Sequence, residues 1–319
     1  MQATWGATVS AARFRTMTSE TSASLRRGTL AILLAAFGWG LLGVMARVAL
    51  ADGVPPLTIA FWRATIAAVL FTLHAAILRA EPLRRADRPA ALVLGVAGVA
   101  VFYLAYLKSI EQGGAALSAI LLYSAPIWVT IGGRLFFHER VSARAALSLA
   151  LTLSGVAVVV IASAQGAMHG SAGAVGWGLL SGATYALYYL LGRRLFSRNA
   201  SARVLSWALG TGAITMLPFV TIGSMRPAAW GGIAALAIVS TYAAYLAYAE
   251  GVKRLPLARA ATIATLEPVI AVVAAYVVWG ERLSLLGMAG AALVIAGILV
   301  SAVGESRRHV ASRRPPTTL

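Results

Sequence analysis

Apolar residues fill long, nearly uncharged runs along this chain, and the polar residues collect in short links between them. Ten runs stand out, at about 28–51, 57–79, 89–108, 115–137, 143–163, 173–195, 202–223, 230–251, 258–279 and 283–303. Each is about the length that an α-helix needs to cross some 30 Å of hydrocarbon. The links leave no room for a soluble domain. The pattern predicts an all-α integral membrane protein with ten transmembrane helices.

The pattern is written twice. Pro126, Glu139-Arg140, Ser142 and Gly155 return as Pro268, Glu281-Arg282, Ser284 and Gly297, each 142 residues later. Tyr103-Leu104-Ala105-Tyr106 returns as Tyr245-Leu246-Ala247-Tyr248. Residues 103–158 against 245–300 give 14 identities in 56 ungapped pairs, against about five expected by chance for such a composition. Five spans per unit is an odd number, so the second unit enters the membrane from the opposite side. The sequence thus divides into a tail (1–27), a first repeat (28–163), a second repeat (173–303) and a basic tail (304–319). Two inverted repeats are a common plan of secondary transporters, with the site near the midplane between halves.

Composition agrees: 60% of residues are hydrophobic and 12% charged, far from the balance of a soluble domain. With no cysteine, disulfides and thiolate metal sites are excluded. A net charge of +17 first suggests a nucleic-acid partner. Its placement points to lipid headgroups instead. If residues 1–27 are cytoplasmic, 20 Lys and Arg lie on that side and three (Lys108, Arg226, Arg282) on the other. That is the positive-inside bias, with both termini inside. Trp177, Trp230 and Trp279 fall at the outer helix ends, as an aromatic belt requires. The first 27 residues lack the apolar core of a signal peptide and read as a disordered cytoplasmic tail, with Met17 an alternative start.

Pro55-Pro56 with Phe61-Trp62-Arg63, then Tyr123-Ser124-Ala125-Pro126 with Glu139, then Leu266-Glu267-Pro268-Val269 with Gly280-Glu281-Arg282-Leu283, resemble the drug/metabolite transporter superfamily. The likeness is to its EamA branch and covers residues 30–302. It implies two inverted five-helix repeats around a central cavity lined mainly by helices 1, 3, 4, 6, 8 and 9. It also implies export of amino acids or similar metabolites from a bacterial cytoplasmic (inner) membrane, with the aromatic amino-acid exporters as one branch.

The candidate site residues follow from chemistry at membrane depth. Pro126 and Pro268 lie near the centres of spans four and nine, where each frees a carbonyl, that of Leu122 or Ala264. Such a carbonyl must line a polar cavity or find a partner, so both prolines are helix breaks with a gating role, whose freed carbonyls could receive a substrate ammonium group, or packing kinks satisfied by Ser/Thr or water. Glu267 is the one acidic residue at this depth, and Ala125 stands at its counterpart. It is a group for a cationic amine or a proton, or a protonated pin between helices. Trp39, Tyr103, Tyr106, Tyr123, Tyr185 and Tyr245 offer an amphipathic wall, because a phenol at midplane needs a partner and therefore an interior position. Tyr188 pairs with Tyr185, and Tyr242 extends the Tyr245-Tyr248 set. Each ring taken singly also fits helix packing.

Arg47 and Arg63 read as snorkelling, Arg63 as paired with Asp52, or either as attracting a carboxylate towards an outer vestibule. The Glu-Arg-x-Ser corners read as structure, with Ser142 and Ser284 as N-caps and each Glu near the start of its own following helix. Gly178 and Gly182 are explained by close helix packing. His74 stands alone, so no metal is expected, and no cofactor either.

An intramembrane enzyme lacks its residues, since no histidine is at midplane, and no phosphate-binding Gly-rich loop is present. The expected function is a secondary transporter exporting small metabolites, foremost neutral or aromatic amino acids, by alternating access. Exporters of nucleobases, polyamines or drugs, and a passive channel, are the alternatives. The expected partners are an amino-acid-like solute and the lipid bilayer, with no nucleic acid, and the protein is expected to be a monomer or weak dimer.

Overall fold

A computed structural model of the protein describes residues 23–163, 171–280 and 284–311. Among them there is no β-strand, and ten long helical segments follow one another: α1 (Ala23–Ala51), α2 (Pro56–Ile77), α3 (Arg85–Gly114), α4 (Leu117–Phe137), α5 (Ala143–Ala162), α6 (Ala172–Arg198), α7 (Ser201–Met216), α8 (Pro227–Arg254), α9 (Leu257–Val278) and α10 (Leu285–Ala311). All but α6, α7 and α10 are long and apolar enough to cross a bilayer by themselves. The chain is a multi-pass membrane protein.

The links are made by residues suited to them. Pro56 and Pro227 stand in the first turns of α2 and α8, where a missing N–H costs nothing. Between α3 and α4 the backbone reverses at Gly114, with φ +81° and ψ 163°, a conformation open only to glycine. The α2–α3 loop is tied to the α6–α7 corner. Arg203 donates to the Ala80 carbonyl at 3.0 Å, and Asn199 donates to Asp87 at 2.9 Å while accepting from the Arg84 N–H at 3.1 Å.

The 142-residue spacing is visible in the backbone. A π-helical segment at Val96–Val101 within α3 recurs at Leu236–Ala243 within α8. Helix α4 is interrupted at Tyr123-Ser124, before Pro126, and α9 at Thr265-Leu266, before Pro268. In both, the proline sits in the first turn of the restarted helix, so each break is a clean stop and restart. The restarted halves both end in a left-handed residue, His138 at φ +53° and Gly280 at φ +70°.

Packing echoes the same spacing, with partners exchanged. A Cβ built on Gly155 of α5 would meet the Gly290 carbonyl at 2.7 Å and the Val294 nitrogen at 2.6 Å. One on Gly297 of α10 would meet the Ser148 carbonyl at 2.9 Å and the Thr152 nitrogen at 3.0 Å. Adding 142 to 148, 152 and 155 gives 290, 294 and 297, so the contact is reciprocal. Ser109 donates to the Ala174 carbonyl at 3.0 Å, and at the positions 142 later and earlier, Gly251 packs on Ile32. Gly182 and Gly40, also 142 apart, lie against the breaks of α4 and α9. Their added Cβ atoms would meet the Leu121 carbonyl at 2.8 Å and the Glu267 carbonyl at 3.0 Å. Lipid tails give apolar helices no reason to associate by burial alone, so such close backbone approaches and interhelical hydrogen bonds hold the bundle. Ser240 to the Gly38 carbonyl (2.6 Å) and Ser148 to the Gly297 carbonyl (2.7 Å) supply the latter.

This packing gives a direct test. Gly155→Val forces side-chain atoms into the α10 backbone, and overpacking of this kind costs about 1–3 kcal/mol or more. Thermal unfolding in detergent should show a clear fall in Tm, whereas Gly43→Val, with open space at its Cβ, should leave it unchanged.

Candidate functional site

The two helix breaks face one another at the centre of the bundle, and between them lies a void of about 10 Å³. Tyr123, Ala125, Pro126, Tyr185, Tyr189, Ala261, Ala264, Thr265 and Glu267 surround it. That volume holds one water at most, so the bundle is closed around this point. Tyr123 ends the first half of α4 and Glu267 begins the second half of α9, and both line this void. The interruption of both helices brings a phenol and a carboxylate from different repeats into one pair.

Aromatic rings extend from this pair as a continuous wall. Trp39 of α1 stands 5.6 Å from Tyr245 and from Tyr248 and 6.4 Å from Tyr185, by ring centroids. Tyr185 in turn packs on Phe102 at 5.4 Å and on Tyr189 at 6.0 Å. Phe102 carries Tyr103 at 4.7 Å and stacks with Tyr106 at 6.4 Å. Most contacts are edge-to-face or tilted, the arrangement favoured by ring quadrupoles, worth about 0.5–1.5 kcal/mol per pair. The structure thus brings Trp39, Tyr103, Tyr106, Tyr123, Tyr185, Tyr245 and Glu267 into one cluster beside the breaks before Pro126 and Pro268.

Arg63 belongs to the same cluster and corrects its snorkelling assignment. Its side chain is 6% exposed. The guanidinium lies over the Tyr103 ring, 4.8 Å from its centroid, with the Tyr245 and Tyr188 rings, themselves 5.2 Å apart by centroids, in the same electrostatic neighbourhood. It lies in the field of Glu267. Asp52, the partner the sequence offered, instead pairs with Arg226 at the start of α8. One signal in the sequence pointed inward: Pro56 fixes the start of α2, and seven residues of helix place Arg63 about 10 Å deep. Tyr189 and Phe102 were also missed as members of this cluster. Tyr248, recognised only as the partner of Tyr245, is 1% exposed, and its hydroxyl finds no hydrogen-bond partner among the described residues.

Two other expectations are revised. Tyr242 leaves the central set, since its hydroxyl lies 2.6 Å from His74 Nδ1 and its ring packs on Phe71. Glu139 does not serve the helix that follows it. Both its oxygens accept from the Leu257 N–H, at 3.1 and 3.2 Å, capping α9 in the other repeat, and Arg193 is 3.6 Å away. Ser142 and Ser284 do cap their own helices, accepting from the N–H groups of Ala145 (3.2 Å) and Gly287 (3.1 Å). Glu281 and Arg282 lie outside the described residues.

The EamA-like transporter family matches residues 26–161 and again residues 172–303. A transporter of uncharacterised substrate from Archaeoglobus fulgidus is 28% identical over 87% of this chain and 97% of its own length. A probable terminal-alkyne amino-acid exporter from Streptantibioticus cattleyicolor is 24% identical over 92% and 98%. A crystal structure 18% identical in sequence superposes with a TM-score of 0.76, over 88% of this chain and 98% of that one, which shows a shared fold. With a family match in each half of an all-helical chain, the protein belongs to the EamA-like transporter family of the drug/metabolite transporter superfamily.

Proposed function

We propose that this protein exports amino acids with apolar or aromatic side chains, by exchanging access to the cluster between the two helix breaks. The observation that carries this reading is the pair of opposite charges, Arg63 and Glu267, in one aromatic-walled site. A zwitterion needs such a pair. Arg63 takes the carboxylate in the bidentate manner suited to a guanidinium, Glu267 takes the ammonium group, and Trp39, Tyr106 and Tyr185 receive the side chain. The amino-acid exporter among the relatives supports the substrate class.

The reciprocal contacts between the halves are those of a two-fold relation. Together with the odd number of spans per repeat, they support an inverted duplication, ten transmembrane spans and alternating access about a central site. The positive charge census favours both termini in the cytoplasm. The closed void of about 10 Å³ then corresponds to an occluded state of the cycle.

Counterflow of labelled phenylalanine and leucine into preloaded proteoliposomes tests the function. Saturable exchange is expected. Passage of ions without exchange of any amino acid would overturn it. Tyr106→Ala tests the pocket wall. Loss of one ring contact should reduce the preference for phenylalanine over alanine about three- to ten-fold, read from competition in the same assay.

A further inference from the structure

A cavity far larger than the central void lies elsewhere in the bundle. About 610 Å³ opens at the end of the bundle that carries most of the positive charge, between the α4–α5 corner, the start of α9 and the end of α10. Five arginines line it, Arg140, Arg144, Arg193, Arg254 and Arg259, with one acidic residue, Glu139. The carboxylate is already engaged by the Leu257 N–H and Arg193. Arg254 is held by Glu250, and Arg259 donates to the Thr29 hydroxyl at 3.3 Å. Arg140 and Arg144 are exposed and make no ion pair or hydrogen bond among the described residues.

The helix ends add to the imbalance. Arg144 stands in the first turn of α5 and Arg259 in the first turn of α9, and neither turn holds an acidic residue. Both N-termini therefore carry a cation where the helix dipole favours an anion. The α9 end already meets the Glu139 carboxylate, so it is the α5 end, with Arg144 in its first turn, that a bound anion relieves. Leu25, Val141, Leu149 and Val300 line the same cavity, so charge stands beside apolar surface, as a phosphate attached to a lipid requires.

From this arrangement we infer that the cavity binds a phosphate group through Arg140, Arg144 and the α5 N-terminus, with an anionic phospholipid headgroup as its source. The inference does not depend on amino acids being the cargo.

The full-length protein, purified into phosphatidylcholine nanodiscs with and without phosphatidylglycerol, provides the test. Native mass spectrometry should show phosphatidylglycerol retained and Tm raised by it. Arg140→Gln with Arg144→Gln should weaken retention about thirty-fold, since each arginine near an anionic lipid is worth roughly a factor of five. The control is Arg85→Gln with Arg194→Gln, exposed arginines that do not line the cavity, and this pair should retain lipid as the parent does. A parallel titration with inorganic phosphate in detergent separates the sources. An arginine-dependent Tm rise there, without lipid retention, assigns the site to a soluble phosphate. Equal losses in both arginine pairs, or no response to either probe, overturns the proposal.

Discussion

Glu267→Gln will lower amino-acid counterflow at least a hundred-fold and will leave the residual rate flat across pH. The substitution keeps the size of the side chain and its carbonyl oxygen beside Tyr123. Only the charge is removed. Arg63, 6% exposed, then loses the negative field of Glu267. The buried guanidinium is left less compensated, so the closed state is reached less readily. The ammonium group of the substrate also loses its acceptor, worth about 1.5–3 kcal/mol for a charged hydrogen bond. Both effects act in one direction, which is why this is the largest change expected. Initial rates at several pH values decide it. Exchange with undiminished rate and slope would remove Glu267 from substrate and proton handling. Circular dichroism and Tm guard against misfolding, and Glu267→Asp, which restores the charge, should recover part of the rate.

The second large effect concerns Glu139. Its carboxylate joins the corner after α4 to the first N–H of α9, across the two repeats. Any motion that parts α4 from α9 at that end must break this cap and the 3.6 Å contact with Arg193. Removing an N-capping group costs about 0.5–2 kcal/mol. Glu139→Ala should therefore shift the balance towards a form open at that end by roughly two- to thirty-fold. The chain contains no cysteine, so one introduced thiol is the only one present. With Ala264→Cys beside the central void, maleimide labelling from the Arg-rich face should accelerate by that factor in the Glu139→Ala background. Unchanged labelling would make the cap a local fixture rather than a latch.

Much of the bundle could be read beforehand because the bilayer imposes its own arithmetic. Apolar runs of the right length become helices, and Pro126 and Pro268 mark the places where two of them stop and restart. The convergence of Trp39 with Tyr185 and Tyr245 followed from one argument, that a phenol at depth seeks the interior. What escaped depends on partners distant in sequence. Glu139 was assigned to the helix beginning four residues later, while its acceptor role lies 118 residues away. Arg63 looked like a snorkelling residue because nothing near it in sequence shows Tyr103, Tyr188 and Tyr245 gathering around its guanidinium. Tyr242 failed for the converse reason: its i−3 relation to Tyr245 suggested a shared face, and the π-helical segment Leu236–Ala243 rotates it towards His74.

The exchanged contacts of Gly155 and Gly297 carry an energetic consequence. When a motif meets its own copy across a two-fold relation, tilting the halves one way or the other makes and breaks equivalent sets of contacts. On the proposed cycle the two end states are therefore nearly degenerate, and a solute gradient of a few kcal/mol suffices to drive net flux. The remaining bias comes from the positions where the copies differ. A left-handed histidine at 138 faces a left-handed glycine at 280, and a non-glycine residue in that conformation costs about 1–2 kcal/mol. The hairpin at His138 thus carries strain that its copy at Gly280 does not, and a motion that released it in one end state alone would tilt an otherwise balanced pair.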